Sequence, residues 1–203
     1  MNERTARFLS FLFHPLILPC VTLGVMIAND PVVRLLLSPK LMLMILGMAF
    51  ITTILVPLLL IFLVYRLGVI RSFYMRSREE RGIPLLVIAV FYYLTYYLLK
   101  GLHLPQIFHM FMLGATFLMI LLIIFNFFLK TSLHMAGLGS FTGLMTGMAL
   151  HYEMNTSAFI LAGILLSGIV GTARLKLDAH RPPDLYIGWL AGAAVMFLIG
   201  WLF

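Results

Sequence analysis

The amino-acid sequence predicts an all-α integral membrane protein, a bundle of six to seven transmembrane helices, on three observations. Of its 203 residues, 63% are hydrophobic and only 10% charged. A soluble domain is nearer a quarter charged, because its surface must be hydrated. Several uncharged stretches run to about 20 residues, the length that crosses about 30 Å of hydrocarbon. Backbone amides find no water there, so each stretch closes its hydrogen bonds within a helix. Finally, the Leu, Ile, Phe and Met runs lack the alternation of a membrane β-barrel.

Polar breaks divide the chain into seven candidate spans: 8–28, 41–65, 84–100, 106–129, 134–150, 157–174 and 184–203. The first follows a start that resembles a signal n-region, but its apolar run from Phe8 to Ala28 is long and interrupted by Pro15 and Pro19. No small-x-small cleavage site follows, so it reads as a retained span. Turn-forming residues mark the links: Asn29-Asp30-Pro31, Ser38-Pro39-Lys40, Lys100 to Pro105 and Arg181-Pro182-Pro183-Asp184. In the third span, Phe91, Tyr92, Tyr93, Tyr96 and Tyr97 make an aromatic cluster, read as lipid-facing or interfacial packing or as the lining of a greasy cleft. The fifth carries Gly139-x3-Gly143-x3-Gly147, a small-residue stripe suited to close helix packing. Phe141 follows Ser140 where an intramembrane serine protease needs glycine. Cys20 is the one cysteine and has no internal disulfide partner. Without a linker or repeat, residues 1–203 read as a single transmembrane domain, with N-terminal spans in 1–65 and a core in 66–203.

Each span crosses once, so alternate links share a face. Arg4, Arg7, Arg66, Arg71, Arg76, Arg78, Arg81, Lys130, Arg174, Lys176 and Arg181 fall on one face, leaving Arg34, Lys40 and Lys100 on the other. The positive-inside rule alone makes the first face cytoplasmic. Three polar segments sit on it. One runs from Arg71 through Arg78 to Glu79-Glu80-Arg81-Gly82-Ile83-Pro84. Another is Lys130-Thr131-Ser132-Leu133-His134, and the last sets Arg174, His180 and Asp184 in an Arg-x5-His-x3-Asp pattern. His103, His109 and His151 lie toward the opposite face, which argues against a haem or multi-histidine metal site.

Over about residues 70–190 these segments resemble the phosphatidic acid phosphatase type 2 superfamily of lipid-phosphate and polyprenyl-pyrophosphate phosphatases. Its pattern is Lys-x6-Arg-Pro, Pro-Ser-Gly-His, then Ser-Arg-x5-His-x3-Asp. Here Arg174, His180 and Asp184 keep the third spacing, and Ser132 and His134 stand in the second motif. Ala173 replaces the serine of the third motif, Thr131 and Leu133 flank Ser132, Arg71 stands for the lysine, and Glu79 follows Arg78. Arg81, three residues before Pro84, is an equally good match to the first-motif arginine.

The resemblance implies a metal-independent, cofactor-free phosphatase acting on a lipid phosphate or diphosphate: polyprenyl (undecaprenyl) pyrophosphate, phosphatidylglycerophosphate, phosphatidic acid or lipid A in type. It assigns His180 as nucleophile, His134 as proton donor to the leaving group, and Asp184 as the carboxylate orienting His180. Arg174, Arg78, Arg81, Lys130 and Ser132 would hold the phosphate. Phosphoryl transfer mainly needs positioned cations that offset charge on the equatorial oxygens, which suits such a set. The expected partners are the substrate and membrane lipids, with no nucleic acid. Bacterial relatives imply an inner-membrane protein with a periplasmic-facing site, in tension with the basic face. A non-catalytic superfamily member that binds or transports anionic lipids remains open beside the enzyme.

Overall fold

A computed structural model describes residues 1–70 and 79–203; Arg71, Arg76 and Arg78 lie outside the described residues. Every regular element among them is helical. In order these are α1 (Glu3–Leu12), α2 (Leu18–Asn29), α3 (Pro31–Leu36), α4 (Pro39–Phe50), α5 (Val56–Arg66), α6 (Gly82–Lys100), α7 (Gln106–Asn126), α8 (Leu133–His151), α9 (Ser157–Lys176) and α10 (Pro182–Leu202). A π-helical turn at Ile51–Leu55 joins α4 to α5, and a 3-10 turn at Glu79–Arg81 precedes α6. The chain is an all-helical membrane protein. Five helices among the described residues are long and apolar enough to span: Pro39–Arg66, Gly82–Lys100, Gln106–Asn126, Ser157–Lys176 and Pro182–Leu202.

The first expected span is two short helices instead of one. After Leu12 the chain turns through His14 and Pro15, and α2 starts at Leu18 with Pro19 in its first turn. Proline has no N–H to donate and is tolerated only at a helix start, so two of them four residues apart break the helix between. At about 15 and 18 Å, neither piece reaches across a bilayer alone.

The chain forms two compact units, Met1–Leu18 with Leu129–Phe203, and Pro19–Phe128. In the first, α8 and α10 pack in parallel almost backbone to backbone. A Cβ on Gly139 or Gly143 would overlap the carbonyl oxygens of Trp189 and Ala193, and one on Gly192 would overlap that of Ala136. The glycine stripe of α8 is therefore its contact surface with α10, as its spacing predicts. α8 is as long as its neighbours but rich in Gly, Ser and Thr, and it is not among the five apolar spans. Most of its residues are buried in protein, where such side chains are tolerated. Trp189 Nε1 donates to Ser167 Oγ at 2.9 Å, tying α10 to α9. Leu18, Leu138 and Val170 form a core with Phe13 and Leu166 against it. At the far end, Thr156 Oγ donates to the Met145 carbonyl, His151 Nδ1 to the Trp201 carbonyl, and the Tyr152 hydroxyl to that of Phe203.

In the second unit, the sequence's turn residues are helix caps: Asp30 accepts from Val32 and Val33 amides, and Ser38 from Leu41. α6 and α7 pair through large side chains, with Tyr92, Phe108 and Phe111 buried. Thr95 Oγ, which donates to the Phe91 carbonyl at 2.7 Å, lies 2.8 Å from Thr52 Oγ beside the π turn. Tyr93, Tyr96 and Tyr97 line a shallow hollow with Lys100, whose ammonium lies 5.9 Å from the Tyr96 ring centre.

Candidate anion site at the head of the first unit

The chain between Arg174 and His180 is shaped by how α9 ends. Leu177 caps the helix, Asp178 adopts a left-handed conformation (φ 48°), and the chain reverses. The Asp178 amide donates to the Leu175 carbonyl at 3.0 Å, and the Ala179 amide to the Arg174 carbonyl at 3.1 Å. That is a Schellman end with aspartate where glycine is usual. Its tight reversal is the local reason for five residues between Arg174 and His180. Immediately after it, Arg181 and Asp184 cap α10. The Arg181 amide donates to Asp184 Oδ2 at 3.0 Å, and the Asp184 amide donates to the Arg181 carbonyl at 3.0 Å.

The 129–132 segment docks on this loop. His180, which is buried, donates from Nδ1 to the Lys130 carbonyl at 3.0 Å. A carbonyl can only accept, so Nδ1 carries the proton and Nε2 of the neutral ring carries the lone pair. The Ser132 amide donates to the Asp184 carbonyl at 3.1 Å. Gly188 permits this approach, since a Cβ there would lie 2.6 Å from the Ser132 carbonyl oxygen. Expected to orient His180, Asp184 instead turns its carboxylate to the Arg181 amide, and the Lys130 carbonyl stands at Nδ1. Asp184 serves the loop through its cap and its backbone.

Ser132 occupies the N-cap of α8 yet makes no side-chain cap bond, and it is fully buried. Two residues on, His134 is also buried and donates from Nε2 to the Ser10 carbonyl at 2.9 Å. The His14 ring stands edge-on to that of His134, with centroids 5.8 Å apart. Arg174 lies within electrostatic reach of both His14 and His134, and His180 within reach of His134. His134, His180, Arg174, Ser132, Lys130 and Asp184 all belong to the first unit, whereas Arg81 is buried in the second.

Buried polar groups are nearly always paired, so the exceptions are informative. Among the described residues, four buried side-chain atoms have no hydrogen-bond partner: Ser10 Oγ, Ser132 Oγ, Arg174 Nε and His109 Nδ1. Three of these are in the first unit, on the elements that meet at His134 and His180. A hydroxyl and a guanidinium N–H are donors of the kind an oxyanion accepts from. Among the described residues, no three His, Cys, Asp or Glu side chains gather as metal ligands. Motif spacing pointed to Ser132, Arg174 and the histidines. It missed Ser10 and the Lys130 carbonyl, since a backbone acceptor leaves no mark in a sequence.

No protein-family model, curated protein or solved structure matches this chain.

Proposed function

We propose that this membrane protein hydrolyses a lipid phosphate or diphosphate through a phosphohistidine. The observation that carries the reading is the pair of buried, unpartnered donors, Ser132 Oγ and Arg174 Nε, on the elements that meet at His134 and at His180, whose Nε2 holds a lone pair. Such donors are costly to bury without a partner and are accounted for by an anionic ligand. The motif resemblance supplies the reaction class. His180 Nε2 attacks phosphorus, the phosphorus–oxygen bond to the lipid breaks, and the leaving oxygen takes a proton from the imidazolium form of His134. Water then attacks the phosphohistidine, returning a proton to His134 and releasing phosphate. Arg174, Ser132 and Lys130 hold the phosphoryl oxygens, while the lipid tail stays in the bilayer. The substrate is thus an amphiphile with a phosphate or diphosphate head, and the membrane its inner, cytoplasmic one in a bacterium, with the site facing the periplasm.

A non-catalytic lipid binder is the second reading, favoured by Ala173, fully buried where the motif has a hydroxyl donor. Purified protein in detergent with EDTA, offered undecaprenyl pyrophosphate, phosphatidylglycerophosphate and phosphatidic acid, separates the two. Phosphate release that falls at least roughly 1,000-fold in His180→Ala is expected for the enzyme. Lipid phosphate bound by both proteins without turnover would favour the binder. Sidedness is tested by an Asp178→Cys probe in a Cys20→Ala background. Labelling of intact cells by a membrane-impermeant maleimide is expected, and labelling only after permeabilisation would place the site in the cytoplasm.

A further inference from the structure

Helical serines and threonines in this protein habitually spend their hydroxyls on the carbonyl four residues back. Thr52, Thr53, Thr95, Thr116, Ser140, Thr142, Thr146, Ser167 and Thr172 all do so. That local bond is the default for a hydroxyl in an apolar helix. Ser10 in α1 departs from it: its Oγ is buried and unpartnered among the described residues. Its carbonyl, meanwhile, is taken by His134 Nε2–H at 2.9 Å. Ser132, two residues before His134, likewise leaves its hydroxyl unspent in a capping position. Among the described residues, the two buried serines that make no local bond thus flank one histidine from two different elements.

We infer that the N-terminal segment is a working wall of the anion site: the Ser10 hydroxyl donates to the bound phosphate, and the Ser10 carbonyl fixes His134 as the Nε2–H tautomer. This inference rests on the phosphatase reading. With Nε2–H held by a carbonyl, Nδ1 of neutral His134 carries the lone pair: it takes the proton from the attacking water, and the imidazolium so formed gives that proton to the next leaving oxygen. His14 backs the arrangement. Its Nδ1 accepts the Leu16 amide at 3.3 Å, so its neutral ring carries the proton on Nε2, and its edge-on contact holds the His134 ring plane. Ser10 is a binding residue, and His14 a positioning one.

The test is orthovanadate binding, measured by titration calorimetry on the full chain in detergent for wild type, Ser10→Ala, Ser10→Thr and Arg174→Ala. A lost bond to a charged ligand predicts roughly 10-fold weaker binding by Ser10→Ala. Ser10→Thr, which restores the hydroxyl, should recover most of it. The melting temperature of Ser10→Ala without vanadate should stay level or rise, because an unpartnered buried donor has been removed. Unchanged vanadate affinity in Ser10→Ala, with Arg174→Ala still weakened, overturns the inference and leaves the phosphatase reading intact. No vanadate binding by wild type overturns both. Nitrogen-15 shifts of labelled imidazoles provide the second arm: protonated Nε2 on neutral His134 is expected, and protonated Nδ1 contradicts the assigned tautomer.

Discussion

The two units of this chain differ in how many buried polar groups they leave unpaired. In the second, the buried hydroxyls of Thr52, Thr53, Thr95 and Thr116 all have partners, and the helices meet through large side chains such as Tyr92, Phe108 and Phe111. In the first, α8 and α10 meet at glycines, and Ser10, Ser132 and Arg174 each keep a buried polar atom without a partner. A helix pair locked backbone to backbone leaves little freedom for the ends it carries. That rigidity allows unsatisfied donors to stay in place instead of relaxing onto local carbonyls, which is what preorganisation for a ligand requires. Among the described residues, the second unit leaves one such atom, His109 Nδ1, and the first leaves three.

The comparison breaks most sharply at the glycines. Gly143→Ala places a methyl against the Ala193 carbonyl and is expected to destabilise by about 3 kcal/mol, read from heat or SDS unfolding in detergent. Gly47→Ala in the second unit, where a Cβ meets open space, should be neutral or gain up to ~1 kcal/mol. Equal effects at the two positions would dissolve the contrast in packing.

Next in size, Ser132→Ala is expected to weaken orthovanadate binding roughly 10-fold while leaving unfolding unchanged or slightly later. A clear loss of stability would mean that the Ser132 hydroxyl serves the fold and not a ligand.

The turn beside His180 gives a smaller effect. Two helices end in the same Schellman geometry, one with Gly68 (φ 74°) and the other with Asp178 (φ 48°). A side chain there is strained and glycine is not, so Asp178→Gly should stabilise by about 1 kcal/mol. A drop in stability would reveal a role for the carboxylate that the backbone does not account for.

Smallest is Thr95→Val, which removes a satisfied hydroxyl from the second unit. It should cost about 0.6 kcal/mol, the usual worth of a bond between membrane helices, again seen in SDS unfolding. Because Thr52 keeps its own bond to the Met48 carbonyl, no buried group is orphaned.

What the sequence alone determined is the solvent and the secondary structure. A chain with so little charge has too little polar surface for water, and lipid obliges its backbone to bond within helices, so class and most helix limits follow from composition and from Asn29, Ser38 and the prolines. The same holds for the α8 stripe, since glycine every fourth residue has one packing use. Linear spacing also singled out Ser132, His134, Arg174 and His180. Their hydrogen bonds were decided only in three dimensions. The Lys130 and Ser10 carbonyls that set the two histidine tautomers are backbone atoms from residues 50 and 124 positions away. Every residue has a carbonyl, so only the folded chain determines which one an imidazole meets. Asp184 teaches the same lesson: its spacing suggested a partner for His180, and the cap of α10 claimed it because the Arg181 amide is three residues away and needs an acceptor.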